Sequence, residues 1–392
     1  MMIDEDIVIR ETPISAPVTS APPQGAPHIG RKKPVLKNSL VIILFVLFLI
    51  TPWAAMELHL VSAVNYENRT LAQKPDMFDP RGYENYLNDN FAFKNSLVAV
   101  DCLYKRIFKT SSSNQVVLGE DGWLFYTVPD APEWDPIATY MGLNRFSDEQ
   151  LLLLKDKFVC FDQRLKEIGT DFFLVIPPNK HTVYSEYLPK YVRERAKETR
   201  MAQLIDYLQM NSDVKVIDLR GALDREHDQY QIYYKTDTHW NSYGAYIAYT
   251  EIFRAVGMES FGRNDYSISP KEVSAMDMAR MAGSVTATDL QFDFVLANRS
   301  PEPELIEGEL DSDKVAVYTN HDPMAPSLMI YHDSYNVALL PFLTPHFSRT
   351  ISSWKLFPDA REIEEQAPDY VIFEILERNL EYLFNSECLK VS

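Results

Sequence analysis

Residues 327–340 read SLMIYHDSYNVALL and join three kinds of segment. The run SLMIY is typical of a buried β-strand, His332-Asp333-Ser334 follows as a polar turn, and the apolar residues 336–340 are compatible with a helix. A serine at a strand-to-helix turn exposes its hydroxyl beside the free backbone N–H groups of the helix start. Ser334 is therefore a candidate nucleophile, although a serine that only caps a helix would show the same local pattern.

Other short apolar runs indicate the surroundings of this strand. Buried strands are predicted at 172–176 (FFLVI), 214–219 (VKVIDL) and 370–375 (YVIFEI), and amphipathic helices at 148–168 and 198–210. Strands alternating with helices predict an α/β fold whose mainly parallel sheet is covered on both faces. In such sheets the functional site gathers at the carboxyl ends of the strands.

A second polar segment, residues 236–244, reads TDTHWNSYG. Asp237 and His239 are two positions apart, and Asn241 is placed to cap the helix predicted after it. A carboxylate beside an imidazole can fix its tautomer and stabilise its charged form, as in a Ser-His-Asp triad. The two segments together predict a catalytic triad of Asp237, His239 and Ser334.

Alternatives to the triad remain open at this point. A capping aspartate beside a structural histidine would show the same D-x-H spacing. A metal site built from Asp237, His239, His332 and Asp333 competes as well, but no HExxH-type spacing supports it, and we expect neither a metal nor a cofactor. Lys180 and Asn241 are second-line candidates, with Lys180 expected on the surface near the cleft.

The N-terminal part predicts a membrane anchor. Residues 38–56, NSLVIILFVLFLITPWAAM, are uncharged and close to the ~20 residues that cross a bilayer as a helix. By the positive-inside rule, the preceding cations place the N-terminus in the cytoplasm and everything after residue 57 on the other side. A cleavable signal peptide ending near Ala54-Ala55 is the alternative, with an n-region longer than usual. The cations are Arg31, Lys32, Lys33 and Lys37.

This pattern divides the chain into four parts. We expect a disordered, proline-containing cytoplasmic tail at 1–37, a transmembrane anchor at 38–56, a helical stalk or lead segment at 57–110, and a catalytic domain at 111–392. Within the stalk, residues 83–106 carry apolar side chains at helical spacing. The catalytic domain is then expected in the periplasm of a single-pass inner-membrane protein.

Composition excludes some functions. A formal net charge of −18 argues against a general nucleic-acid binder, which would be basic. An anionic polymer would need a local basic patch, for which residues 190–200 (KYVRERAKETR) are a candidate, although a solvated helix face is the favoured interpretation of this stretch. None of the 3 cysteines forms a CxxC pair, which removes zinc-ribbon and thioredoxin-type interpretations. An oxidising compartment would allow one disulfide among Cys102, Cys160 and Cys388.

Several blocks, in the same order, resemble the alginate O-acetyltransferase family of SGNH-hydrolase-like proteins, of the AlgJ and AlgX types. The turn HDSY at 332–335 stands where the family has a G-[DT]-S-[FY] turn, so His332 replaces the usual glycine. The chain ends soon after Arg378, so it resembles the anchored AlgJ type. The similar blocks are 86–97 (YLNDNFAFKNSL), 119–126 (GEDGWLFY), 176–189 (IPPNKHTVYSEYLP), 237–244 (DTHWNSYG), 276–283 (MDMARMAG), 332–335 and 370–378 (YVIFEILER).

The resemblance implies an SGNH-hydrolase-like three-layer α/β/α fold, circularly permuted so that the D-x-H block precedes the serine. It implies that Asp237, His239 and Ser334 are the triad. It also implies acetyl transfer to an exported polysaccharide, with the acetyl group delivered by a membrane-bound O-acyltransferase (MBOAT-type) partner. A polysaccharide acetylesterase with the same triad, or a non-catalytic scaffold of an export complex, would show the same residues.

Overall fold

The computed structural model describes residues 35–58, 72–75, 79–93, 113–274, 276–283, 287–297, 302–310 and 314–385. The chain forms two compact units. One comprises Met1–Ala63 and Thr70–Ala92, and the other comprises Val64–Arg69 and Phe93–Ser392. Of the disordered tail predicted at 1–37, residues 1–34 lie outside the described residues and residues 35–37 belong to a helix. Two of the cysteines, Cys102 and Cys388, also lie outside the described residues, while Cys160 is a free thiol.

The first two described helices belong to the first unit, and the other helices alternate with the strands over most of the second unit. They are α1 (Val35–Glu57), α2 (Pro80–Asn90), α3 (Pro136–Tyr140), α4 (Asp148–Glu167), α5 (Lys180–Val183), α6 (Lys190–Arg193), α7 (Arg200–Asn211), α8 (Arg220–Glu226), α9 (Ser242–Val256), α10 (Asp277–Met281), α11 (Asn336–Leu343), α12 (Ala360–Gln366) and α13 (Tyr382–Asn385).

The strands form one large sheet and two hairpins. They are β1 (Val116–Leu118), β2 (Leu124–Tyr126), β3 (Asp171–Val175), β4 (Lys215–Ile217), β5 (Tyr266–Ser274), β6 (Thr288–Leu296), β7 (Glu304–Gly308), β8 (Val315–Thr319), β9 (Ser327–Tyr331), β10 (Arg349–Ser353) and β11 (Tyr370–Glu374).

The large sheet has the strand order β4-β3-β11-β9-β10-β8-β7. Neighbours from β4 to β10 pair in parallel, and β8 pairs antiparallel with both β10 and β7. The expected mainly parallel sheet is therefore confirmed. The predicted strands at 172–176, 214–219, 327–331 and 370–375 are β3, β4, β9 and β11, and they include the sheet's central strands.

Side chains alternate between the two faces of these strands, as the two-residue period of a β-strand requires. Phe173 and Val175 of β3 join the apolar core that contains α9, whereas Phe172 and Leu174 join the core that contains α4 and α7. The two cores cover opposite faces, which gives the three layers expected of the fold.

In the first unit, α2 (Pro80–Asn90) is capped at its N-terminus by Asp79, whose carboxylate accepts a hydrogen bond from the Gly82 N–H. The helix predicted at 83–106 is thus confirmed to residue 90, residues 91–93 are not helical, and 94–112 lie outside the described residues. The helix α1 covers the predicted anchor. Among the described residues, no helix has both the length and the apolar character that crossing a membrane requires.

Candidate active site

The segment 232–241 closes into a tight loop ahead of α9. Tyr233 and Trp240 form an isolated antiparallel bridge. The Tyr234 N–H donates to the His239 carbonyl at 3.1 Å, and the Asn241 N–H donates to the Ile232 carbonyl at 3.1 Å. These bonds fix the ends of the loop, so that the residues between them, which include Asp237, hold a defined position.

Asn241 attaches this loop to the helix. Its Oδ1 accepts hydrogen bonds from the Tyr243 and Gly244 N–H groups at 3.0 and 3.2 Å, which confirms the expected N-cap. A Cβ at Gly244 would lie 2.3 Å from the Ile232 carbonyl oxygen, so only glycine allows α9 to approach the loop this closely. The glycine and the asparagine of the DTHWNSYG block therefore serve to position the loop.

Ser334 lies in the turn between β9 and α11. The Asp333 carboxylate fixes this turn because it accepts hydrogen bonds from the Tyr335 N–H at 3.0 Å, the Leu376 N–H at 2.9 Å and Asn379 Nδ2 at 2.8 Å. The last two donors follow β11, the neighbouring strand. The turn that carries Ser334 is therefore held against the carboxyl end of the sheet by a buried carboxylate.

Glu374, at the end of β11, also binds the turn that carries Ser334. Its Oε2 accepts a hydrogen bond from the Asp333 N–H at 3.2 Å. Burial raises the pKa of Glu374 well above its usual value, and the nearby Asp333 carboxylate adds to the effect. Burial therefore favours the neutral, protonated form of the Glu374 carboxyl group.

The structure brings the three predicted triad residues together. His239 Nε2 lies 2.7 Å from Ser334 Oγ, and His239 Nδ1 lies 2.6 Å from Asp237 Oδ1. The carboxylate holds the proton on Nδ1, so Nε2 faces the serine hydroxyl with its lone pair. This arrangement suits removal of the proton from Ser334 Oγ.

Asp237 stays ionised in this position although it is buried. Burial raises its pKa, but the hydrogen bond and charge of His239, with the His239 and Asp277 N–H groups, outweigh burial and bring the pKa below its usual value. A fixed negative charge beside Nδ1 stabilises the imidazolium that forms when His239 accepts a proton.

Part of the expected oxyanion site is not available. The Tyr335 N–H donates to Asp333 Oδ1 at 3.0 Å, so in this geometry it is not one of the free N–H groups expected at the helix start. The Ser334 N–H has no hydrogen-bond acceptor within the described part of the chain. It is the backbone donor that remains at the start of α11.

His332, which replaces the family's glycine, is directed into the protein. Its Nε2 lies 2.7 Å from Ser352 Oγ, its Nδ1 lies 2.8 Å from the Asp333 carbonyl, and burial lowers its pKa. Among the residues with described side chains, no group of three or more His, Cys, Asp or Glu is arranged to hold a metal. His332 and Asp333 are thus bound to the sheet and the turn, and do not form a ligand set with Asp237 and His239.

Lys180 is buried, with 2% of its surface exposed, so the expectation of a surface position was wrong. Its Nζ donates to the carbonyls of Tyr234 at 2.9 Å, Lys235 at 3.1 Å and Asp237 at 2.6 Å. It also lies 5.6 Å from the ring centroid of Trp123. The ammonium therefore ties the Asp237 loop to the end of β3. The acceptors are backbone carbonyls, which every residue has, so the sequence gives no local signal for this contact.

Replacing Lys180 with methionine should change how stability depends on pH. Burial lowers the pKa of Lys180 to about 7, against the attraction of Asp237 and Asp289. Its pKa in the unfolded chain is about 10.4, so between these values the unfolded state binds a proton that the folded state has lost. Stability contributed by Lys180 then rises with pH. The unfolding free energy of wild type minus variant should increase by about 2 kcal/mol from about pH 7 to 9 in chemical denaturation.

A wild-type-minus-variant difference that stays flat over this range would contradict the prediction. It would mean that the ammonium keeps its proton when folded, and that Lys180 acts on the loop only through constant hydrogen bonds.

Asp289 of β6 is a positioning residue that the sequence interpretation missed. Its carboxylate accepts hydrogen bonds from the Thr236 N–H at 2.7 Å, Thr236 Oγ1 at 2.7 Å and the Lys235 N–H at 3.0 Å. It therefore holds the residues immediately before Asp237. The alternation of 288–296 (TDLQFDFVL) is a strand signal that could have found β6, but only the fold shows which acidic residue faces the loop.

Comparisons with known proteins agree with this fold. Residues 116–312 match the family described as "SGNH hydrolase-like domain, acetyltransferase AlgX", which is half of the chain. The matched range includes Asp237 and His239 and ends before Ser334. The place of Ser334 in the site is therefore given by the structure.

Two kinds of relative can be compared. The Pseudomonas putida protein described as "Probable alginate O-acetylase AlgJ" is 28% identical over 192 residues, which cover 49% of this chain and 46% of that protein. The chain thus spans about half the length of the curated relatives it matches. Bacillus cereus PatB1 superposes with a TM-score of 0.51 at 15% identity, covering 71% of this chain and 99% of PatB1, a likeness of fold.

A second PatB1 structure, "with sulfonyl adduct", gives a TM-score of 0.50 at 17% identity and covers 68% of this chain and 95% of that one.

One conclusion follows from the parallel sheet, the loop that carries Asp237 and His239, and the match over residues 116–312. The chain belongs to the family of SGNH hydrolase-like domains of the acetyltransferase AlgX.

Proposed function

We propose that this protein is an O-acetyltransferase that acetylates hydroxyl groups of an exported polysaccharide through an acetyl-enzyme on Ser334. The observation that carries the proposal is the continuous contact from Asp237 Oδ1 through His239 to Ser334 Oγ, at 2.6 and 2.7 Å. Family membership and a curated relative named as an alginate O-acetylase support the acetyl chemistry and the polysaccharide acceptor.

In the first half-reaction, His239 Nε2 takes the proton of Ser334 Oγ as that oxygen attacks the carbonyl carbon of the acetyl donor. The Ser334 N–H stabilises the oxyanion of the tetrahedral intermediate. The bond to the donor's leaving group then breaks, and the leaving group departs with the proton from Nε2. The acetyl group remains as an ester on Ser334.

In the second half-reaction, a sugar hydroxyl replaces the leaving group. His239 Nε2 takes the hydroxyl proton while the sugar oxygen attacks the ester carbon, and Ser334 Oγ recovers the proton when its bond to the acetyl group breaks. Asp237 orients the ring in both steps and stabilises its charged form. The scheme requires no metal or cofactor besides the acetyl donor.

We also place the catalytic domain outside the cytoplasm, anchored to the inner membrane through residues 38–56, with an MBOAT-type partner as acetyl source. The uncharged run and the cations before it support this topology, and the family resemblance supports the partner. The topology can be tested by fusing to the C-terminus a reporter that is active only in the cytoplasm. Activity of this reporter would contradict the topology. Loss of polymer acetylation on deleting a neighbouring MBOAT gene would support the partner.

Transfer must be distinguished from hydrolysis, because an acetylesterase would use the same triad and let water attack. The purified full chain should be given p-nitrophenyl acetate with and without oligosaccharide acceptors, and the acetylated sugar and free acetate should be quantified separately. We expect acetylated sugar to form at the expense of acetate. Acetate alone, together with deacetylation of a pre-acetylated oligosaccharide, would favour the esterase.

A further inference from the structure

Two carboxyl groups meet next to the turn that carries Ser334. Glu374 is the last residue of β11 and is fully buried, and β11 pairs with β9, the strand that leads into this turn. Glu374 Oε2 accepts a hydrogen bond from the Asp333 N–H at 3.2 Å. The Glu374 carboxyl group also lies within hydrogen-bonding range of the Asp333 side chain. The contact between the two carboxyl groups is therefore made at the residue that precedes Ser334.

Of the two groups, Asp333 is arranged to hold a negative charge. Its Oδ2 accepts hydrogen bonds from the Leu376 N–H and from Asn379 Nδ2. Its Oδ1 accepts a further hydrogen bond from the Tyr335 N–H. All three donors are N–H groups, and hydrogen bonds of this kind stabilise the charged form of a carboxylate. An ionised carboxylate has no proton of its own to donate, so Asp333 can accept one more hydrogen bond but cannot supply it.

Glu374 has no comparable set of donors. Its Oε1 is buried and has no hydrogen-bond partner within the described part of the chain. The titratable groups that interact with it electrostatically are Asp333, Tyr233 and Tyr335, and all three are acids. A buried charge without compensation is costly, and two like charges at close range repel. A protonated carboxyl group avoids both costs, because its O–H can donate to the neighbouring carboxylate.

We propose that Glu374 keeps its proton and is a positioning residue for Ser334: its O–H donates to the Asp333 carboxylate while its Oε2 accepts the Asp333 N–H. Two hydrogen bonds then join β11 to Asp333, one through the side chain and one through the backbone. They hold the turn so that Ser334 Oγ stays at 2.7 Å from His239 Nε2. The expected effect on the reaction rests on the proposed transferase function.

The proton can be detected without measuring activity. A protonated carboxyl group has a C=O stretching band that an ionised carboxylate lacks, so the infrared spectrum of the full chain at neutral pH should contain a band that Glu374→Gln removes. Glu365→Gln, which changes an exposed glutamate of α12, is the matched control and should retain the band. If Glu374→Gln, shown by circular dichroism to be folded, loses no such band, Glu374 is ionised and the inference is overturned.

The rate of acetyl transfer shows whether the proton or a charge is needed at this position. Glutamine has an N–H donor and a C=O acceptor, so Glu374→Gln can form both hydrogen bonds and should retain most of the wild-type kcat. Methionine has a similar size but forms neither bond. Glu374→Met should therefore lower kcat by about 10²-fold, as expected when reacting groups are displaced by about 1 Å, with the KM for the acceptor unchanged. A Glu374→Gln chain as slow as Glu374→Met would mean that the charged form is required.

The two measurements separate this inference from the proposed function. If the wild-type chain transfers no acetyl group at all, the transferase proposal fails, and the infrared band still decides whether Glu374 is protonated. If the band is present but Glu374→Met transfers acetyl groups at the wild-type rate, Glu374 carries a proton without positioning Ser334, and the inference is overturned.

Discussion

Replacement of Ser334 by alanine is expected to lower acetyl transfer by roughly 10³- to 10⁶-fold, the range found for loss of a triad nucleophile. The substitution removes Oγ, which lies 2.7 Å from His239 Nε2 and is the atom that would carry the acetyl group. Ser334 is partly exposed, and the bonds that fix its turn come from Asp333, so the fold should be retained. The loss should therefore appear in the chemical step and not in the amount of protein.

The measurement is acetate on the exported polymer in a strain that produces the Ser334→Ala chain at the wild-type level, together with acetyl transfer by the purified protein. Ser267→Ala, on the exposed side of β5, is the matched control and should behave as wild type. Wild-type polymer acetylation by the Ser334→Ala chain would replace the acetyl-enzyme mechanism with the scaffold alternative.

Replacement of His239 by alanine should be nearly as severe. Without Nε2 the serine hydroxyl keeps its proton and is a weak nucleophile, and the sugar hydroxyl loses its base in the second step. The effects of His239→Ala and Ser334→Ala should not add, because the residues act as one unit. The double variant should thus be about as slow as the slower single variant, measured as the rate of acetyl transfer with p-nitrophenyl acetate.

The control is His321→Ala, which removes an exposed histidine whose Nε2 lies 3.2 Å from Glu304 Oε2. It should retain the wild-type rate. If His239→Ala keeps more than about a tenth of the wild-type rate, a base other than His239 must act, since general bases typically contribute ~10²–10⁴-fold.

The strands that can be predicted from the sequence are those made of continuous apolar residues. β3, β9 and β11 are continuous apolar runs, and such runs are typical of the centre of a parallel sheet. β10 reads RTISS and has Ile351 as its one large apolar residue, so no local pattern identifies it. Thr350, Ser352 and Ser353 are buried because β9 and β8 flank the strand, and Ser352 Oγ bonds to His332. That arrangement depends on pairing between distant segments.

The candidate site shows the same division. Asp237, His239 and Ser334 stand in segments whose residue types suggest chemistry, and the fold brings the segments together. Lys180 and Asp289 position the loop mainly through its backbone carbonyl and N–H groups, which are the same in every sequence. Their contacts therefore follow from the tertiary structure and could not be predicted from local patterns.

The central claim, that Ser334 carries the acetyl group, can be tested directly by trapping the intermediate. The full chain would be mixed with p-nitrophenyl acetate without acceptor, quenched in acid within the first turnover, digested and mapped by mass spectrometry. The account predicts that the peptide containing Ser334 carries an acetyl group and that its fragmentation spectrum places the group on that serine. Adding an acceptor oligosaccharide before the quench should remove this acetyl group from the peptide. Acetyl transfer that proceeds at the wild-type rate with the Ser334 peptide never acetylated would contradict it.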